Sequence, residues 1–142
     1  MIESIALSAI LYVTQGKCMR IFKTRLFAKW AKKEKLFDDA LNQAVSEMEQ
    51  GLIDANLGGH VYKKRVAQKG RGKRGSTRTI LVYRSSSNAF FIFGYSKNEK
   101  DNVSDDELKQ AKAFAKELLS YSETQLNTLV ETGKLIEVEH AR

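Results

Sequence analysis

Polar and apolar positions in Arg20 to Lys23 predict a short opening strand, and Thr24 is placed to cap a helix behind it. In that helix Leu26, Phe27, Trp30 and Ala31 recur at the spacing of one buried face, which leaves Lys29, Lys32, Lys33 and Lys35 mainly wet. After Phe37, the pair Asp38-Asp39 favours a second helix start, with Leu41, Ala44, Val45 and Met48 as its stripe and Gly51 as its end. The turn-rich segment Asp54 to Gly59 leads into three β-rich runs, His60 to Ala67, Thr77 to Arg84 and Ala89 to Tyr95. Their short connections imply antiparallel neighbours. Ser104 to Glu107 reads as a capping box for a helix that buries Leu108, Ala111, Ala115, Leu118 and Leu119. Ser122 to Gln125 repeats the device for a shorter helix, Gly133 ends it, and Leu135 to Val138 adds a terminal strand. The expected architecture is α+β, a small antiparallel β-sheet in β-α-α-β-β-β-α order packed against helices.

Charge changes the picture of the central meander. Every residue from Ala55 to Asn98 is uncharged or basic, and the run carries +10 while the whole chain carries +7. Residues 1–54 contribute +1 and residues 99–142 contribute −4, so the acidic helices partly balance a strongly basic sheet. A single-sign block inside folded sheet points to a polyphosphate partner, most simply nucleic acid. Candidate RNA contacts are Lys63, Arg65, Lys69, Arg71, Lys73, Arg74, Arg84 and Lys100. Four of these lie in the loop Gln68 to Ser76, whose three glycines let backbone N–H groups approach phosphate. The loop lacks the Gly-Lys-Ser/Thr ending of a nucleotide-binding P-loop. Strand alternation sends Lys64 to one face and its neighbours Lys63 and Arg65 to the other.

RNA scission by its own 2′-hydroxyl requires a base, positive groups on the non-bridging oxygens, and an acid for the leaving 5′-oxygen. His60 stands at the entry to the meander and His140 near the far end of the chain, so neither is a convincing base. A lysine crowded by other cations gives up its proton more readily, and tyrosine can donate one. The catalytic candidates are therefore Lys64, Arg78, Lys97 and Tyr95, with Asp101 a weaker base. Phe90, Phe91 and Phe93 read as core rather than as RNA-stacking residues, and so does Trp30.

The remaining composition is permissive. The lone Cys18 has no disulfide partner in the chain, and no His or Cys cluster has metal-ligand spacing, so neither a metal nor an organic cofactor is expected. The apolar run Ile5 to Val13 is too short to span a bilayer. It also lacks the basic lead and small-residue tail of a secretory signal, so a cytoplasmic protein with no membrane partner is expected. Residues 1–18 are read as an N-terminal extension, either packed on the domain or upstream of a natural start at Met19. Residues 19–142 are read as one domain.

Several segments in order carry a family resemblance: MRIFKT from Met19, LGGHVYKKRVA from Leu57, TRTILVYR from Thr77 and FGYSKNEKDNVSDDEL from Phe93. Together they resemble the RelE/HigB-like toxins of bacterial toxin–antitoxin modules, from Met19 to about Val138. The resemblance implies a RelE-like fold and ribosome-dependent cleavage of messenger RNA without a metal or cofactor. Its second-strand lysines correspond to Lys63 and Lys64, its third-strand arginine to Arg78, and its basic residue after the last strand to Lys97 or Lys100. Where RelE has a tyrosine near the start of the last helix, this chain has Asn102-Val103. The implied partners are the ribosome with its message and a cognate antitoxin, often one with a helix-turn-helix domain. Two other functions fit the same fold: a ParE-like gyrase inhibitor, and a non-catalytic RNA- or ribosome-binding module.

Overall fold

The computed structural model describes residues 19–67, 77–96 and 102–140. Strand β1 (Arg20–Thr24) leads into helices α1 (Arg25–Lys33) and α2 (Asp38–Glu49). Strands β2 (Ala55–Gly58), β3 (Val61–Val66), β4 (Thr77–Tyr83) and β5 (Asn88–Tyr95) follow. Helices α3 (Asp105–Ser120) and α4 (Glu123–Glu131) and strand β6 (Leu135–Glu137) complete the order.

The strands form one sheet in the order β2-β3-β4-β5-β1-β6. All neighbours are antiparallel except β1 and β5, which pair in parallel from Arg20 opposite Asn88 to Lys23 opposite Phe91. The exception follows from the chain path, because a parallel neighbour requires a long crossover and α1, α2 and the meander supply one. The α+β class is as expected. The segment Asp54 to Gly59, expected as a turn, also holds β2, whose strand character comes from pairing with β3 along the sheet edge.

Alternation splits the apolar residues into two cores. Ile21, Leu81, Tyr83, Ala89 and Phe91 pack with Phe27, Ala31, Leu41, Val45 and Met48 of α1 and α2. Their neighbours Phe22, Ile80, Val82, Phe90 and Ile92 pack with Ala111, Ala115, Leu118 and Leu126 of α3 and α4. The sheet is thus sandwiched between two helical layers. Both expected capping boxes are present: the Ser104 hydroxyl accepts from Glu107 N–H at 3.1 Å and the Ser122 hydroxyl from Gln125 N–H at 3.2 Å. Leu26, expected on the buried face of α1, is 67% exposed, because that face is centred on Phe27 and Ala31.

Two local features set the geometry of the meander's far end. Thr24 caps α1 through an N–H···O contact from Phe27 at 3.1 Å and donates its hydroxyl to the Ile92 carbonyl at 2.7 Å. A bulge then shifts the β4–β5 register: Ile80 faces Phe93 but Leu81 faces Phe91, leaving Ile92 extra. After it, Phe93 and Tyr95 pack on the α3 side and Gly94 faces the Trp30 ring.

Candidate functional site

The β3–β4–β5 register brings three expected site residues into one row: Arg65 lies opposite Arg78, and Arg78 opposite Tyr95. Lys63 is two residues from Arg65 on the same face, opposite Ile80. Its ammonium donates to the Asn102 carboxamide at 3.3 Å, and the same oxygen accepts from Val103 N–H at 3.0 Å. The approach to α3 is thereby tied to the basic row, through a residue the sequence marks only as a departure from the RelE pattern. Arg65 is exposed and Arg78 half-buried. Like charges placed directly across a ladder repel, so the Arg65–Arg78 pair is a local cost that an anion would relieve.

Tyr95 differs from the expectation of an accessible proton donor, being 2% exposed. Burial raises its pKa most, the positive charge of Arg78 acts in the opposite direction, and Glu107 raises it further. The phenol stays protonated at neutral pH and sits beneath the row as a neutral neighbour of Arg78. Glu107 is held by the capping box, accepting from Ser104 N–H at 3.0 Å. Tyr95 also lines a pocket of about 650 Å³ with Leu26, Trp30, Phe93, Glu107 and Phe114. Lys134 is the one cation among that pocket's described lining residues, so the pocket adjoins the row at Tyr95 without including its arginines.

Lys64 does not join Arg78. It is 5% exposed and lies on the α2 face, where its ammonium is 2.7 Å from the Glu47 carboxylate and donates to the Leu52 carbonyl at 3.1 Å. Thr79, opposite Lys64, donates its hydroxyl to the Lys64 carbonyl at 2.8 Å. Lys64 and Arg78, both catalytic candidates, are thus not brought together: the two side chains occupy opposite faces of the sheet. Alternation in the sequence separates Lys64 from Lys63 and Arg65, but the face of Arg78 follows from the β3–β4 register, and nothing in the sequence shows that Glu47 waits on the side Lys64 faces. Arg84 is exposed beyond the other end of β4, six residues and about 20 Å from Arg78. Lys69, Arg71, Lys73, Arg74, Lys97, Lys100 and Asp101 lie outside the described residues.

The Lys64–Glu47 pair carries a pH prediction. Hydrogen bonds from Lys64 first, and from Gln43 second, hold the Glu47 carboxyl below its ordinary value of 4.5. The unfolded chain therefore binds more protons near that pH. The pair's contribution is fully present above the unfolded value and fades as pH falls through the folded one. Lys64→Met is expected to flatten the acid limb of a plot of urea midpoint against pH between about 5 and 3. An unchanged acid limb would remove the pair from the stability balance.

No helix among the described residues is long and apolar enough to cross a membrane, and no group of three or more His, Cys, Asp or Glu among them is arranged to hold a metal ion. The family model described as the RelE toxin of the RelE/RelB toxin–antitoxin system matches residues 19–138, which take in every strand and helix from β1 to β6. Toxins of that family pair with antitoxins, and the chain, with its basic row set between the meander and α3, belongs to the RelE toxin family.

Proposed function

We propose that this chain is a metal-independent, ribosome-dependent endoribonuclease that cuts messenger RNA and so inhibits translation. The observation that carries the reading is the Arg65–Arg78 pair, two guanidiniums set across adjacent strands with no carboxylate partner in the described ion pairs. On this reading both arginines hold the non-bridging oxygens of the scissile phosphate and stabilise the charge that grows there. The 2′-oxygen loses its proton and bonds to phosphorus, the bond to the 5′-oxygen breaks, and that oxygen gains a proton. The products are a 2′,3′-cyclic phosphate and a 5′-hydroxyl. Tyr95 positions Arg78, Lys63 supports the entry to α3, and Lys64 is assigned to the fold. Lys97, two residues beyond Tyr95 in sequence, is assigned to proton transfer, with Lys100 as a further RNA contact. The toxin unit is residues 19–142, acting in the cytoplasm and neutralised by a cognate antitoxin with a helix-turn-helix domain.

Mapping the 5′ ends of messages after induction of the full chain in bacteria tests this. Cuts inside translated regions, bearing 5′-hydroxyls and disappearing when initiation is blocked, are the expected result. Intact messages with persistent growth arrest and a DNA-damage response would replace the reading with gyrase inhibition.

A further inference from the structure

We propose a second phosphate-binding cleft at the far end of the same sheet face, where Arg84, Lys112, Lys116 and His60 converge on a further stretch of RNA backbone; the inference rests on the ribonuclease reading. The cleft has a volume of about 730 Å³, and no carboxylate is among its described lining residues. Its cations come from separate elements: Arg84 from the turn after β4, and Lys112 and Lys116 from successive turns of α3, with His60 from the turn before β3. A solvated helix face accounts for the two lysines but not for their convergence with Arg84.

Three cations elsewhere in the described fold are ion-paired. Arg20, Lys23 and Lys64 meet carboxylates at 2.6 to 2.8 Å. The side chains of Arg84, Lys112, Lys116 and His60 are exposed, and none is in an ion pair or side-chain hydrogen bond with another described residue.

Lys112 is also held in place. Gly58, Gly59 and His60 take φ values of 90°, 60° and 66°, and this left-handed turn forms a floor beneath its stem. A Cβ on Gly59 would come within 3.3 Å of Lys112 Cγ, and one on Gly58 within 3.2 Å of Nζ. Glycine at both positions lets the stem lie flat across the turn. The stem of Lys112 at the cleft is thus supported by the turn, and the side chain loses less freedom on meeting a phosphate.

The two basic regions stand at opposite ends of β4, about 20 Å apart, or about six nucleotides of a helical strand. A short RNA can occupy one of them and a longer one can bridge both.

The test measures binding of full-length protein to single-stranded RNAs of about 4 and about 12 nucleotides, and its co-sedimentation with ribosomes, between about 50 and 200 mM KCl. Lys112→Gln with Lys116→Gln keeps the Cβ and Cγ methylenes and removes two charges. With a slope of about 0.7 per phosphate contact on a single strand, wild type should lose about sevenfold more affinity than this variant across that range. Arg84→Gln should act in the same direction. An effect on the longer RNA but not the shorter places both regions on one strand. An effect seen with ribosomes alone assigns the cleft to a separate RNA segment, and either result supports it. Binding and salt slope equal to wild type for every ligand would overturn the cleft. If Arg65→Gln with Arg78→Gln abolishes binding in that same experiment, the ribonuclease reading stands without the cleft. If that pair also binds as wild type does, the ribonuclease reading itself falls.

Discussion

Arg78→Ala is expected to slow message cleavage about 100- to 1,000-fold while leaving the fold in place, and Arg65→Ala to act in the same direction. Arg78 is paired with Arg65 on one neighbouring strand and with Tyr95 on the other, so truncation removes the cation at the centre of the row. The fold has little to lose, because the same truncation removes a like-charge contact across the ladder. A cation required for charge stabilisation and not for folding should show a large loss of turnover beside a small shift in melting temperature. Cleavage assayed in a reconstituted translation reaction, with thermal melts followed in parallel, separates the two. Near-normal turnover in both variants would exclude the arginine row from the chemistry.

Gly94→Ala is expected to be among the most damaging single-methyl additions to the chain, costing about 3 kcal/mol, at the upper end of ordinary overpacking. A Cβ at this position would stand 2.3, 2.4 and 2.8 Å from three atoms of the Trp30 ring. The indole is a rigid plane with the Phe27 ring at 5.5 Å, and it cannot bend aside as the tip of a lysine can. To accept the methyl, α1 must lift from β5 or the strand must shift, and a shifted β5 carries Tyr95 with it. Trp30→Ala removes the obstruction, so the double variant should be more stable than the sum of the single effects predicts. Urea midpoints for the four proteins measure this coupling. Strict additivity would show that Trp30 is not what forbids a side chain at Gly94.

Much of the fold was legible because its signals are local. The serine caps at Ser104 and Ser122, the acidic start of α2 and the alternation in β4 each depend on residues a few positions apart. The parallel seating of β1 against β5 was not legible, since it follows from where the intervening helices return the chain. The bulge at Ile92 was hidden for a related reason: an unbroken apolar run, Ala89 to Phe93, does not reveal where one residue is looped out. At the candidate site, period-two spacing correctly grouped Lys63 with Arg65 and separated them from Lys64. It gave no means of deciding which face carried the carboxylate of Glu47 and which lay beside α3. Arg78 and Tyr95 entered one row through cross-strand register, whereas the burial of Tyr95 depended on packing that composition does not encode. Lys112 and Lys116 were obscured by the acidic segment around them.

The seating of β1 also governs the order in which the chain assembles. Thr24 bonds to Ile92, 68 residues away, and Arg20 bonds to Glu137, 117 residues away. Neighbouring strands of the meander are close in sequence, whereas the first strand pairs with partners from the other half of the sequence. Closures over such distances slow folding, and until they occur β5 presents a bare apolar edge to its surroundings. A newly made chain whose meander closes before β1 docks would leave its sheet open with the arginine row already assembled, and the time to docking would then set its exposure to aggregation and proteolysis.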